Sequence, residues 1–259
     1  MGNSKKRSRF DNRGRKHGWT YKAVVAVSYP FMQYMTKQER QGTEYLEAEY
    51  PPNDGVIIAA NHMSWFDPMS IGHALVDSGR PPHFLAKDKL FTMPGLSFIM
   101  NNADQIPVYR ETDNATDAIR DAIDALEDGQ TVLIYPEGTM TRDEDYWMMS
   151  GRTGVAQLAL ASGAPVIPAA QWGPQEIMRP YHNEFKVFPR KTMHTHFGPP
   201  VDLSDYQNVP VTNKVLHEVT NRIVDTITGM LEEIRGEKAP DERLDFRQWR
   251  EEQERKKDQ

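Results

Sequence analysis

VIIAANHMSWFDP, residues 56–68, decides how the chain is read. Five apolar residues without a break suit a strand buried on both faces, and Pro68 suits the first turn of a helix. A strand passing through a short polar turn into a helix is the repeating unit of an α/β fold. The turn itself carries Asn61, His62 and Asp67, and α/β folds place their ligands just beyond the carboxyl ends of strands.

The same grammar continues outward. Residues 68–79 read as a helix closed by Gly79, and HFLAK (83–87) and QIPVY (105–109) as strands. Ala115, Ile119, Ala122, Ile123 and Leu126 fall on one face of a helix over 113–128, with Asp113 as its cap and Gly129 as its stop. TVLIYP (131–136) and APVIPAA (164–170) read as buried strands flanking a short helix over 153–162. FKVFP (185–189) and MHTHFG (193–198) read as more polar strands, followed by a long amphipathic helix over 212–235. The expectation is an α/β domain over 46–236, with a mixed, mostly parallel sheet covered by helices.

At 259 residues the chain suits one core with appendages. The lack of cysteine excludes disulfides, thiolate chemistry and sulfur-ligated zinc. The net charge of −6 conceals an uneven distribution. Lys5, Lys6, Arg7, Arg9, Arg13, Arg15, Lys16 and Lys22 face only Asp11, so residues 1–18 read as a basic, disordered arm. No stacking motif or helix-turn-helix accompanies it, and no nucleic-acid partner is expected. The neighbouring WTYKAVVAVSYPFMQYM (19–35) is interrupted by Lys22, Ser28, Pro30 and Gln33 and is too short to span a bilayer. Trp19, Tyr21, Tyr29 and Tyr34 beside a basic arm suit a segment lying in the interface, so 19–45 is expected to be an interfacial helical segment against an anionic membrane. Residues 237–259 are nearly all charged and read as a solvated helix or a disordered end, with Phe246 and Trp249 the hint of docking.

His62 and Asp67 suit a base whose tautomer is fixed by a carboxylate, with N–H groups at the helix start placed to stabilise developing negative charge. Alone, the pair reads better as a capped helix start, with Asp67 the cap and His62 merely its partner. Two further strand ends carry polar clusters. Glu137 and Gly138 follow TVLIYP, and Arg110 follows IPVY, where a guanidinium suits bidentate phosphate recognition.

Together these stretches resemble the lysophosphatidic acid (1-acyl-sn-glycerol-3-phosphate) acyltransferases and their glycerolipid acyltransferase relatives. NHMSWFDP is similar to the family's first block, GLSFIMNNADQIPVYR to the second, YPEGTMTRD to the third and APVIPAA to the fourth, in family order over roughly residues 50–200. The resemblance implies a fatty acyl transfer from acyl-CoA or acyl carrier protein to a free hydroxyl of lysophosphatidic acid, giving phosphatidic acid in phospholipid synthesis. It makes His62 the general base and Asp67 its orienting partner, with no acyl-enzyme, no cofactor and no metal. Arg110 becomes the phosphate ligand with Lys87 as helper. Glu137, Gly138 and Thr139 help bind the acceptor, and Pro168 shapes the acyl surface. Where the third block usually continues with arginine this chain has Met140, so Arg142 or Arg152 is expected to supply the charge, or the acceptor is another lysophospholipid or a glycolipid. The implied location is peripheral or monotopic on the cytoplasmic face of the cell membrane.

Two other classes fit parts of the sequence. A metal-dependent hydrolase would join His62 and Asp67 to His194 and His196, which share one face of a strand. A non-catalytic lipid-binding protein would use the arm, the aromatic segment and the long helix, and would have no need of His62, Asp67 or Glu137.

Overall fold

The computed structural model describes residues 19–47, 54–103, 105–108, 115–182 and 184–257. In chain order its elements are α1 (Trp19–Met35), β1 (Thr36–Gln41), α2 (Glu44–Glu47), β2 (Val56–Ala60), α3 (Asp67–Asp77), β3 (Pro82–Lys87), α4 (Leu96–Asn102), β4 (Ile106–Val108) and α5 (Ala115–Glu127). They continue with β5 (Thr131–Ile134), α6 (Gly154–Ser162), β6 (Val166–Trp172), α7 (Pro174–Ile177), β7 (Lys191–Phe197), α8 (Asn213–Arg235) and α9 (Phe246–Lys257).

The strands form one sheet in the order β1-β7-β6-β2-β5-β3-β4. All neighbours are parallel except β6 and β7, so β1 and β7 run against the other five. The sheet is mixed and mostly parallel, as expected. Its centre is β2, which explains the unbroken apolar run: Ile57 and Ala59 join the core under α5, α6 and α8, while Val56, Ile58 and Ala60 join the opposite core under α3. Every β2 residue is fully buried. Burial on both faces makes β2 costly to disturb.

The long helix follows its periodicity. Val215, Val219, Ile223, Ile227 and Leu231 are buried on one face of α8; Thr212 accepts from the Val215 N–H at its start, and Gly236 closes it with φ 66°.

Two expectations are corrected. The helical segment over 19–45 ends at Met35, because Thr36–Gln41 forms a parallel edge strand on β7. An edge strand buries little, and in TKQERQ only Thr36 is buried, which leaves no apolar alternation to read. FKVFP (185–189) is not a strand: β7 already occupies the free edge of β6, and Phe185 and Phe188 are exposed. The charged tail follows the solvated-helix alternative: it carries α9, which lies against the loop after β5 through Phe246 and Trp249. The arm over 1–18 and the cap Asp113 lie outside the described residues.

Among the described residues, no helix is long and apolar enough to cross a membrane. α1 packs its Met32 into a small core with Phe66, Ile177 and Met193 and leaves Trp19, Val27 and Tyr34 more than two-thirds exposed.

Candidate active site

β2, β5 and β6 end side by side. Ala59 pairs with Ile134 and Ala60 with Ala169, so the residues that follow each strand meet at one edge. Asn61 ties two of these ends together. Its side chain donates to the Gln171 carbonyl (3.0 Å) and accepts the Gln171 N–H (2.8 Å), while Gln171 Nε2 returns a bond to the Asn61 carbonyl (3.1 Å). Both residues are buried, so these bonds take the place of water for the groups that make them.

His62 follows, with its Nδ1 2.8 Å from Asp67 Oδ2. The same oxygen accepts the N–H groups of Met63 (2.6 Å) and Ser64 (2.8 Å). Asp67 is fully buried at the first turn of α3, and burial raises its pKa, against the lowering effect of His62 and the two N–H groups. The capped-turn reading and the base-orienting reading therefore describe one arrangement, since Asp67 does both. An acceptor at Nδ1 fixes the hydrogen there and leaves Nε2 as the basic nitrogen. The imidazole lies flat on Tyr135, with centroids 4.1 Å apart and planes 14° from parallel.

Glu137 is also fully buried. Its Oε1 accepts the His62 N–H (2.9 Å) and its Oε2 the Met149 N–H (3.0 Å), and burial pushes its pKa up to about 8. Thr141 N–H donates to the His62 carbonyl (2.8 Å), so the main chain of His62 is held on both sides by the segment 137–141. Gly138 turns that segment with φ 69°, where a side chain would be strained and its Cβ would stand 2.9 Å from Arg152 Cδ.

The structure thus brings His62, Asp67, Glu137 and Gly138 together, with Thr139 next in the same turn. Met140 is buried, so no cation replaces it in place. The Arg142 guanidinium lies against both Tyr181 (3.4 Å to the ring centroid) and Trp249 (4.6 Å). Lys87 ends β3, opposite Val108, at the same edge of the sheet; Arg110 lies outside the described residues. Pro168 sits inside β6 opposite Ala59, against Gly198, a packing position below the site. The N–H groups expected to stabilise negative charge at the helix start are already committed: Met63 and Ser64 to Asp67, and Phe66 to Ser64 Oγ (2.9 Å). His194 and His196 lie on β7, two strands from β2, with His194 paired to Glu39 (3.1 Å). Among the described residues, no group of three or more His, Asp or Glu side chains could hold a metal.

Sequence reasoning missed the Asn61–Gln171 clamp and Tyr135. A polar residue directly after a buried strand was the available signal for the first. Nothing in YPEG marks the tyrosine as a stacking surface.

The profile of the family described as Acyltransferase matches residues 38–172, just over half of the chain. The chain belongs to that acyltransferase family. The match begins inside β1, which agrees with that strand's place in the sheet. A 1-acyl-sn-glycerol-3-phosphate acyltransferase from Bacillus subtilis is 26% identical over 192 residues, covering 73% of this chain and 89% of that protein. A chloroplastic 1-acyl-sn-glycerol-3-phosphate acyltransferase from Brassica napus is 27% identical over 172 residues, covering 65% of this chain and 46% of the plant protein. The crystal structure of a 1-acyl-sn-glycerophosphate (LPA) acyltransferase from Thermotoga maritima superposes with a TM-score of 0.63 at 20% identity, over 87% of this chain and 86% of that one, and carries the likeness of fold. This chain is an acyltransferase enzyme.

Proposed function

We propose that this acyltransferase moves a fatty acyl group from a thioester, acyl-CoA or acyl carrier protein, to the free hydroxyl of lysophosphatidic acid. The observation that carries the reading is the His62–Asp67 pair, with Nδ1 tied at 2.8 Å and Nε2 left to take a proton. His62 removes the acceptor's hydroxyl proton as the oxygen attacks the thioester carbonyl; the tetrahedral intermediate collapses, the C–S bond breaks, and the imidazolium returns its proton to the departing thiolate. Asp67 stabilises the imidazolium between the two transfers. Direct attack fits the surroundings of His62. Ser64, two residues on, is fully buried with its Oγ bonded to the Met178 carbonyl (2.6 Å) and the Pro174 carbonyl (3.1 Å), and cannot serve as a nucleophile.

The acceptor's phosphate needs cations, and Arg110, Lys87 and Arg142 are the residues for it, with Glu137, Gly138 and Thr139 shaping the wall beside them. The exposed Trp19, Val27 and Tyr34 of α1 support attachment to the interface of an anionic membrane, at its cytoplasmic face, where both substrates partition. Met140 favours a second acceptor class, a lysophospholipid with a larger head group, since a buried methionine stands where the resemblance leads one to expect a cation.

The test incubates the full-length protein and His62→Ala, in mixed micelles, with palmitoyl-CoA or palmitoyl acyl carrier protein and a panel of lysophospholipids, and resolves products by mass spectrometry. Phosphatidic acid from the wild type, with turnover lower by on the order of 10² to 10⁴ in His62→Ala, is expected. Full activity in the variant would overturn the role of His62. Product from another lysolipid alone would reassign the acceptor.

A further inference from the structure

The charged tail beyond α8 lies outside the stretch matched by the family profile, yet it closes over the loop after β5. Its course is built. Ala239 packs against the main core, and its N–H donates to Glu232 (2.9 Å); Arg243 pairs with Asp225; the Leu244 carbonyl accepts the Ser150 N–H (3.0 Å). Asp245 then caps α9, accepting from the N–H groups of Arg247 (2.8 Å) and Gln248 (3.1 Å). The cap fixes Phe246 and Trp249 three residues apart on one helical face, where their rings stack with centroids 5.9 Å apart.

That face meets two arginines. The Arg142 guanidinium lies 4.6 Å from the Trp249 centroid and 3.4 Å from that of Tyr181, and Arg152 lies 5.8 Å from that of Phe246. Two aromatic rings this close to its carbon hold a guanidinium in place, and the N–H groups that do not point at the rings can still make in-plane bonds to a planar or tetrahedral anion. Arg142 Nε is buried and has no hydrogen-bond partner among the described residues. The arginine is also tied to the base: Thr141, its neighbour, donates to the His62 carbonyl (2.8 Å), and the Tyr181 hydroxyl donates to the Met140 carbonyl (2.6 Å).

We infer that Trp249 is a positioning residue for head-group recognition: the tail and Tyr181 clamp Arg142 so that its N–H edge faces the acceptor's phosphate, supplying from position 142 the charge that Met140 lacks. This rests on the reading of the acceptor as a phosphorylated glycerol lipid. The tail completes the acceptor site, and specificity for a phosphate monoester depends on a segment far from the strand-end blocks.

Steady-state kinetics of the full-length protein with lysophosphatidic acid test this, using Trp249→Ala, Trp249→Phe, Arg142→Ala and the double variant Trp249→Ala/Arg142→Ala. Trp249→Ala is expected to raise the acceptor KM by roughly 3- to 10-fold, the scale of one lost cation–π face, with kcat and the donor KM changed less than about twofold. Trp249→Phe keeps an aromatic face and is expected to restore most of the loss. In the Arg142→Ala background, Trp249→Ala is expected to add nothing further. An increased KM in Arg142→Ala with an unchanged KM in Trp249→Ala would overturn the clamp and leave the acceptor reading standing. An unchanged KM in Arg142→Ala, or a wild type indifferent to the phosphate, would overturn both. Equal losses of kcat and thermal stability in Trp249→Ala and Trp249→Phe would make the tail a packing element and overturn positioning.

Discussion

Asp67 and Glu137 are two carboxylates at the ends of neighbouring strands, both fully buried and both accepting two backbone N–H groups, yet they do different things. Asp67 gathers both N–H groups and the His62 imidazole on one oxygen, so its charge is felt by a group that must itself become charged. Glu137 spreads its bonds over two oxygens, one to the His62 main chain and one to Met149, and meets no side-chain cation among the described residues. One carboxylate tunes a base; the other shapes the backbone that carries it. The lesson is that a buried acid beside a catalytic histidine is assigned by what its oxygens touch, and its proximity alone decides nothing.

Substitution of each acid by its amide separates the two roles. In Asp67→Asn the N–H groups of Met63 and Ser64 keep an acceptor, but the negative charge beside the imidazolium is lost. Turnover is expected to fall on the order of 10³-fold, with thermal stability unchanged or raised, because burial already disfavours the ionised acid. Rapid-quench turnover and a melting curve on the same protein check it; a melting temperature that collapses along with activity would make Asp67 a structural cap alone.

Glu137→Gln is expected to show the reverse emphasis. The amide presents an NH₂ group to one of two backbone donors, which costs about 1–3 kcal/mol of stability, while turnover falls only about tenfold through displacement of His62. The pH dependence gives the sign. With the Glu137 pKa raised from 4.5 to about 8, the native chain holds a proton that the unfolded chain has released between those values. Its contribution to stability therefore falls as pH rises through that window and levels off above about 8. Denaturant unfolding between about pH 5 and pH 8 should show a shallower decline in Glu137→Gln than in the wild type; parallel profiles would show that Glu137 is ionised throughout.

The contrast also shows what was legible in the residues. Asp67 could be found because its partner lies five positions away and both sit between an apolar run and a helix-opening proline. The buried strands VIIAA and TVLI were equally plain, since central parallel strands need apolar side chains on both faces. Glu137 was visible as a strand-end acid, but its partners, the N–H of His62 and the N–H of Met149, are backbone groups that leave no trace in side-chain pattern. The edge strand TKQERQ failed for a related reason, since its ladder to β7 is main chain and only Thr36 of its side chains is buried. Arg142 was legible as a spare cation and Trp249 as a docking hint, whereas no spacing in the sequence joins residues 142, 181 and 249.

The smallest expected effect concerns the floor on which both acids' common neighbour rests. Tyr135 lies flat beneath His62 at 4.1 Å, and burial pushes the ionisation of its phenol well above the ordinary value, so at neutral pH it is a neutral ring. If the ring's face is what matters, Tyr135→Phe keeps it and turnover should stay within about threefold of wild type. Tyr135→Leu removes the flat surface, lets the imidazole tilt away from the line set by Asp67, and should cost roughly tenfold in kcat with little change in acceptor KM. A loss of about 100-fold in Tyr135→Phe would instead place the phenol in the proton path, and the division of labour between one tuning acid and one scaffolding acid would have to admit a third titratable partner.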